Sequence, residues 1–93
     1  MSNAIVTAAE YSEGSLYLTV KRGSKTTQEI INVSLEPVGP DIEVDMFTIG
    51  LQEIETWTLR DCTPEEAEQY CAENADDLAA RPSITAWLNG AHK

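Results

Sequence analysis

The side chains that could do covalent or metal chemistry in this chain are few. Cys62, Cys71 and His92 are the only cysteines and histidine in 93 residues. A zinc site needs four ligands at paired spacings, and there is neither a Cys-x-x-Cys nor a second histidine. The acids do not follow the D-x-[DN]-x-[DN]-G pattern of a calcium loop, so no metal is expected. A nucleophile is equally hard to find. His92 stands next to the last residue, Cys71 falls on an apolar helical stripe where cysteine acts as a small hydrophobe, and Cys62 is surrounded by Asp61, Glu65 and Glu66, which disfavour a thiolate. No glycine-rich phosphate loop is present. The expectation is a protein that is not an enzyme and holds no cofactor.

What remains is carboxylate. Sixteen acids stand against six Lys and Arg, for a formal charge of −10. The distribution is lopsided, because residues 41–80 hold twelve of the acids and a single basic residue, Arg60. Glu65, Glu66, Glu68, Glu73, Asp76 and Asp77 occupy about 18 Å of helix axis if the segment is one continuous helix. That is roughly one charge per 3 Å, close to the spacing of about 3.4 Å between phosphates on one DNA strand. Asp41, Glu43 and Asp45 form a second row at about 6.6 Å intervals on a strand. Like charges at i, i+4, such as Glu73 and Asp77, repel by a few tenths of a kcal/mol, and no lysine is interspersed to relieve them. Such a field repels nucleic acid and anionic membranes and attracts basic proteins. Lys21, Arg22 and Lys25 are too few for a nucleic-acid site and read as a solvated turn.

The elements that must carry these rows are legible. Thr63, Pro64 and Glu66 make a capping box with proline at the first helical position. A helix is predicted from Pro64 to about Ala80. At about 100° per residue Ala67, Tyr70, Cys71, Asn74, Ala75 and Leu78 share its apolar face, and the acids face water. Arg81-Pro82 stops it. Ser83 is expected to cap a short last helix in which Ile84, Trp87 and Leu88 share a face, with Gly90 as the stop. On this helix Cys62 and Cys71 are roughly 13 Å apart, beyond disulfide reach, so free thiols and a reducing, cytoplasmic setting are expected.

Upstream, alternation predicts strands over Ala4–Tyr11, Ser15–Arg22, about Glu29–Glu36, Asp41–Met46 and Glu53–Leu59. Ser12-Glu13-Gly14 is a turn, with Tyr11 opposite Ser15, Val6 opposite Val20 and Ala8 opposite Leu18. After Arg22 a long loop is favoured over a tight Gly23-Ser24 turn, because it sets Leu16, Leu18 and Val20 against Leu35, Val33 and Ile31. Pro37 to Pro40 is read as a loop. The apolar phase changes at Phe47, which predicts a bulge or strand end near Met46.

The expected architecture is α+β: an antiparallel meander of four to five strands followed by one long and one short C-terminal helix on one face. Residues 1–93 form a single domain, with Met1–Asn3 set aside as disordered or a cloning remnant. No signal peptide or membrane span is read. In composition the chain is similar to small acidic phage-borne proteins that occupy nucleic-acid-binding surfaces of host defence or transcription complexes. The expected function is therefore a small acidic, non-enzymatic protein-binding protein. It would be a nucleic-acid-mimicking inhibitor of a basic nucleic-acid-binding complex, of the phage anti-defence type. Its contact residues would be Glu65, Glu66, Glu68, Glu73, Asp76, Asp77, Asp41, Glu43 and Asp45. The competing expectation is a phage-like structural or assembly protein that oligomerises through sheet edges.

Overall fold

Glu13 and Gly14 both take left-handed backbone angles, with φ of 48° and 80°. That is what a two-residue hairpin requires. It joins β1 (Ile5–Ser12) to β2 (Ser15–Arg22). The computed structural model describes residues 3–91, so the reading of His92 lies outside it. Three more strands follow, β3 (Lys25–Val38), β4 (Asp41–Thr48) and β5 (Glu53–Leu59), and the five form an antiparallel meander in chain order. Helices α1 (Pro64–Glu73), α2 (Ala75–Ala79) and α3 (Pro82–Ala86) come after the sheet, and a π turn at Trp87–Ala91 ends the described chain.

The helical segments pack on one face of the sheet: α1 on β1 and β3, α2 on β1 and β2, α3 on β5. From the strands Leu16, Leu18, Val20, Ile31, Val33, Ile42, Val44 and Met46 are buried there, against Ala67, Cys71, Leu78, Ile84, Trp87 and Leu88. The predicted helix phase holds, since Ala67, Cys71, Ala75 and Leu78 are buried while Tyr70 and Asn74 are half-buried.

Several local expectations are corrected. The second hairpin is tight, with Arg22 paired to Lys25 across Gly23-Ser24 and Leu18 opposite Glu29. The long loop would have matched apolar with apolar. Its register differs from the observed one by four residues, an even slip, so both keep the same faces. The inner face at this end accommodates Glu29 because Arg22 closes over it at 3.7 Å and also donates to the Leu88 carbonyl at 2.9 Å. In the first hairpin Val6 does pair with Val20, but a bulge at Thr7 sets Ala8 opposite Thr19 and Ala9 opposite Leu18. Tyr11 faces Leu16, and Ser12 faces Ser15. Strand β3 extends through Pro37 to Val38, leaving only Gly39-Pro40 as the turn. The register shift expected near Met46 lies between Met46 and Phe47, with Ile54 as the extra residue of β5.

The predicted single helix is broken at Asn74, whose φ and ψ of −119° and 30° leave the helical region. Its side-chain amide donates to the Tyr70 carbonyl at 2.9 Å, competing with its own backbone N–H for that acceptor. Asparagine offers this local alternative to a helix. Ser83 does not cap α3; Arg81 holds the cap position, without a side-chain cap bond.

Strand β3 is shared unevenly. Lys25–Asn32 pairs with β2, and Ile31–Val38 pairs with β4, so the two ladders overlap only at Ile31 and Asn32, with the Val33 N–H also donating to the Gly14 carbonyl of the first hairpin at 2.8 Å. The molecule is elongated as a result, with extents of 45 × 23 × 19 Å and a radius of gyration of 13.5 Å, against about 12 Å for a compact chain of this length.

Candidate functional site

Alternation along β4 decides where the strand acids go. Ile42, Val44 and Met46 are buried beneath the helices, so Asp41, Glu43 and Asp45 project from the opposite, uncovered face of the sheet. The acids of α1 and α2 are exposed on the helical layer, with Glu68 reaching Tyr11 of β1 at its edge. The two predicted rows therefore lie on different faces of the molecule and come together at one end, where Asp41 accepts the Asp61 N–H just before α1.

Within the helical row the capping box is complete. Thr63 Oγ1 accepts from the Glu66 N–H at 3.1 Å, and the Thr63 N–H donates to Glu66 Oε1 at 2.9 Å. The Tyr11 hydroxyl donates to Glu68 Oε1 at 2.7 Å, and Gln69 donates to Glu73 at 2.9 Å. Burial first, and then the hydrogen bond to Glu68, push the Tyr11 phenol well above its ordinary range. Among the described residues none of these helical acids forms an ion pair. The break at Asn74 puts Asp76 and Asp77 on a second, short helix rather than on a continuation of α1.

The strand row is also partly committed. Asp41 Oδ1 accepts the Asp61 N–H at 2.9 Å, and the Cys62 N–H donates to the Pro40 carbonyl at 3.1 Å. Together these hold the β5–α1 connection, in which Asp61 takes a left-handed φ of 50°. Glu36 of β3 stands directly opposite Glu43, an unfavourable like-charge pair. Thr56 Oγ1 lies 3.0 Å from Asp45 Oδ1 and 2.9 Å from Glu53 Oε2. One hydroxyl proton serves two carboxylates. The neighbouring Asp45 carboxylate, with which Glu53 shares a proton when protonated, raises the Glu53 carboxyl above the usual range, partly offset by Thr56.

Sequence reasoning missed Glu36 and Glu53 as members of this cluster because their neighbourhood depends on strand register. It also missed a cluster on the helical side. Arg81 donates to both oxygens of Glu55 at 3.0 and 2.6 Å, Ser83 donates to the same carboxylate at 2.6 Å, and the guanidinium lies 3.9 Å from the Trp57 ring centroid. The arginine holds the Glu55 carboxyl below its ordinary range. Its cation is thereby neutralised and anchors α3 to β5.

Both cysteines are free thiols, as expected. Burial raises Cys71 to about 11, and burial followed by Glu66 raises Cys62. Neither is arranged as an activated nucleophile. Among the described residues no group of three or more His, Cys, Asp or Glu is placed to hold a metal ion, and no helix is long and apolar enough to cross a membrane. No family model, curated protein or solved structure matches the chain.

Proposed function

We propose that this is a non-enzymatic binding protein whose acidic surface engages a basic protein surface, of the kind that otherwise binds nucleic acid. One observation carries the reading. The exposed acids of α1, α2 and the open sheet face are not neutralised by ion pairs; both ion pairs among the described residues, Arg22–Glu29 and Arg81–Glu55, lie elsewhere. An unneutralised field of this kind steers a basic partner and raises its association rate, and salt screens it over about 8–10 Å. A cytoplasmic setting and an inhibitory role on a phage-defence complex belong to the same proposal.

The test is capture of partners from a host lysate at low and high salt, followed by association kinetics with the partner identified. Reversal of Glu73, Asp76 and Asp77 to lysine is expected to slow association at low salt, and reversal of Glu10 and Glu13 to do much less. Salt-independent binding that ignores both sets of changes would reduce the acids to a solubility device. The second reading, assembly through sheet edges, has its own observation: β1 and β5 are outer strands, and each half of β3 lacks a partner on one side. A salt-tolerant oligomer in sedimentation would favour it.

A further inference from the structure

The face of the sheet opposite the helices is not uniformly charged. Tyr17 of β2 is 39% exposed and stands directly opposite Ile30 of β3. One row further, Phe47 of β4 stands opposite Asn32 on the same face. Tyr17, Ile30 and Phe47 thus form an aromatic and aliphatic patch at the centre of an uncovered face. Its flank toward β5 is the carboxylate group of Glu43, Asp45 and Glu53, with Glu36 across from Glu43. The patch lies outside the buried core, which is on the other face.

An apolar centre with a charged flank is the anatomy of a binding surface in which a few desolvated side chains supply most of the energy. Protein surfaces that bind single-stranded nucleic acid combine basic grooves with exposed aromatic side chains. We infer that the open sheet face is where the partner docks: Tyr17, Ile30 and Phe47 pack against its exposed aromatic or aliphatic side chains while Glu43, Asp45 and Glu53 meet its basic ones. The acids of α1 and α2, on the helical layer, act at a distance and affect encounter rather than residence. This assignment rests on the acidic-binder reading and adds which face makes contact and what the partner carries besides charge.

The experiment is an NMR titration of the labelled protein with two synthetic peptides of equal positive charge. One contains only lysine, arginine and glycine; the other replaces the glycines with leucine and tryptophan. The expected result is a set of shifts centred on Tyr17, Ile30, Phe47 and Asp45, and about tenfold tighter binding of the apolar-bearing peptide. Tyr17→Ser and Phe47→Ser should each abolish that preference while leaving the weak, salt-sensitive binding of the other peptide. Because Phe47 is half-buried, Tyr17→Ser, at the more exposed position, keeps the test independent of folding. Shifts confined to α1 and α2 with equal affinity for both peptides would overturn the face assignment and leave the acidic-binder reading standing. Failure of both peptides to bind at low salt would overturn both.

Discussion

Removing the Arg81 guanidinium tests how the C-terminal helices are held to the sheet. Arg81 makes two charge-assisted bonds to Glu55 and stacks on Trp57, and Ser83 adds a third bond to the same carboxylate. The side chains of Arg81 and Glu55 are 30% and 28% exposed, so the pair is neither a loose surface contact worth about 0.2–1 kcal/mol nor a buried one. Hydrogen bonds to charged groups contribute about 1.5–3 kcal/mol, and solvent screening discounts that here. A coupling of about 1–2 kcal/mol between Arg81→Met and Glu55→Gln is expected from a double-mutant cycle. Each single change should lower the melting temperature by roughly 4–10 °C. Denaturant unfolding followed by the fluorescence of Trp57 and Trp87 measures it. The pH dependence adds a second readout. Glu55 has a folded value below its unfolded one, so its stabilisation is present above the unfolded value of about 4.3 and is lost as pH falls through the folded value. The stability gap between parent and Glu55→Gln should therefore be full at pH 7 and shrink in acid. A coupling below about 0.3 kcal/mol, or a gap that grows on acidification, would refute the argument.

Two further outcomes are expected. Leu78→Ala should lose about 2–5 kcal/mol in denaturant unfolding, because Leu78 is 1% exposed in the core and the deleted methyl groups leave a cavity; a loss near zero would mean α2 is not core. Leu51→Gly should gain up to about 1 kcal/mol in thermal unfolding, since Leu51 has φ of 68°, is 76% exposed and sits in a turn where glycine avoids the left-handed penalty.

The elements that could be read in advance were those whose signals are local. Thr63, Pro64 and Glu66 announce the start of α1, and the alternation of Ile42, Val44 and Met46 against Asp41, Glu43 and Asp45 assigns the faces of β4. Non-local competition explains the errors. The long-loop register matches apolar with apolar and sets Arg22 facing Glu29; in the tight turn Glu29 stands opposite Leu18 instead, still covered by Arg22, which the Leu88 carbonyl from far along the chain helps to hold. Angular position puts Asn74 on the apolar stripe of one helix, whereas its side-chain amide competes for the Tyr70 carbonyl and the helix breaks there. The acid rows are visible in the sequence, but their assignment to different faces of the molecule follows only once the helices are placed on the sheet. Tyr17, Ile30 and Phe47 belong to three strands, and nothing before register is known brings them together.

The uneven sharing of β3 bears on how the protein opens. With the two ladders overlapping only at Ile31 and Asn32, and one further bond from Val33 to Gly14, the sheet is two three-stranded ribbons joined by a short splice. A splice that short transmits little hydrogen-bond cooperativity from one ribbon to the other. The coupling passes instead through the helical layer, where α2 rests on β1 and β2 and α3 is fastened to β5. Amide exchange should then resolve two cooperative units rather than one once the Arg81–Glu55 link is removed. Each ribbon is a run of sequence-local hairpins, so each can form rapidly by itself. The late event in folding is then the closure of the C-terminal helices that makes the two behave as one body.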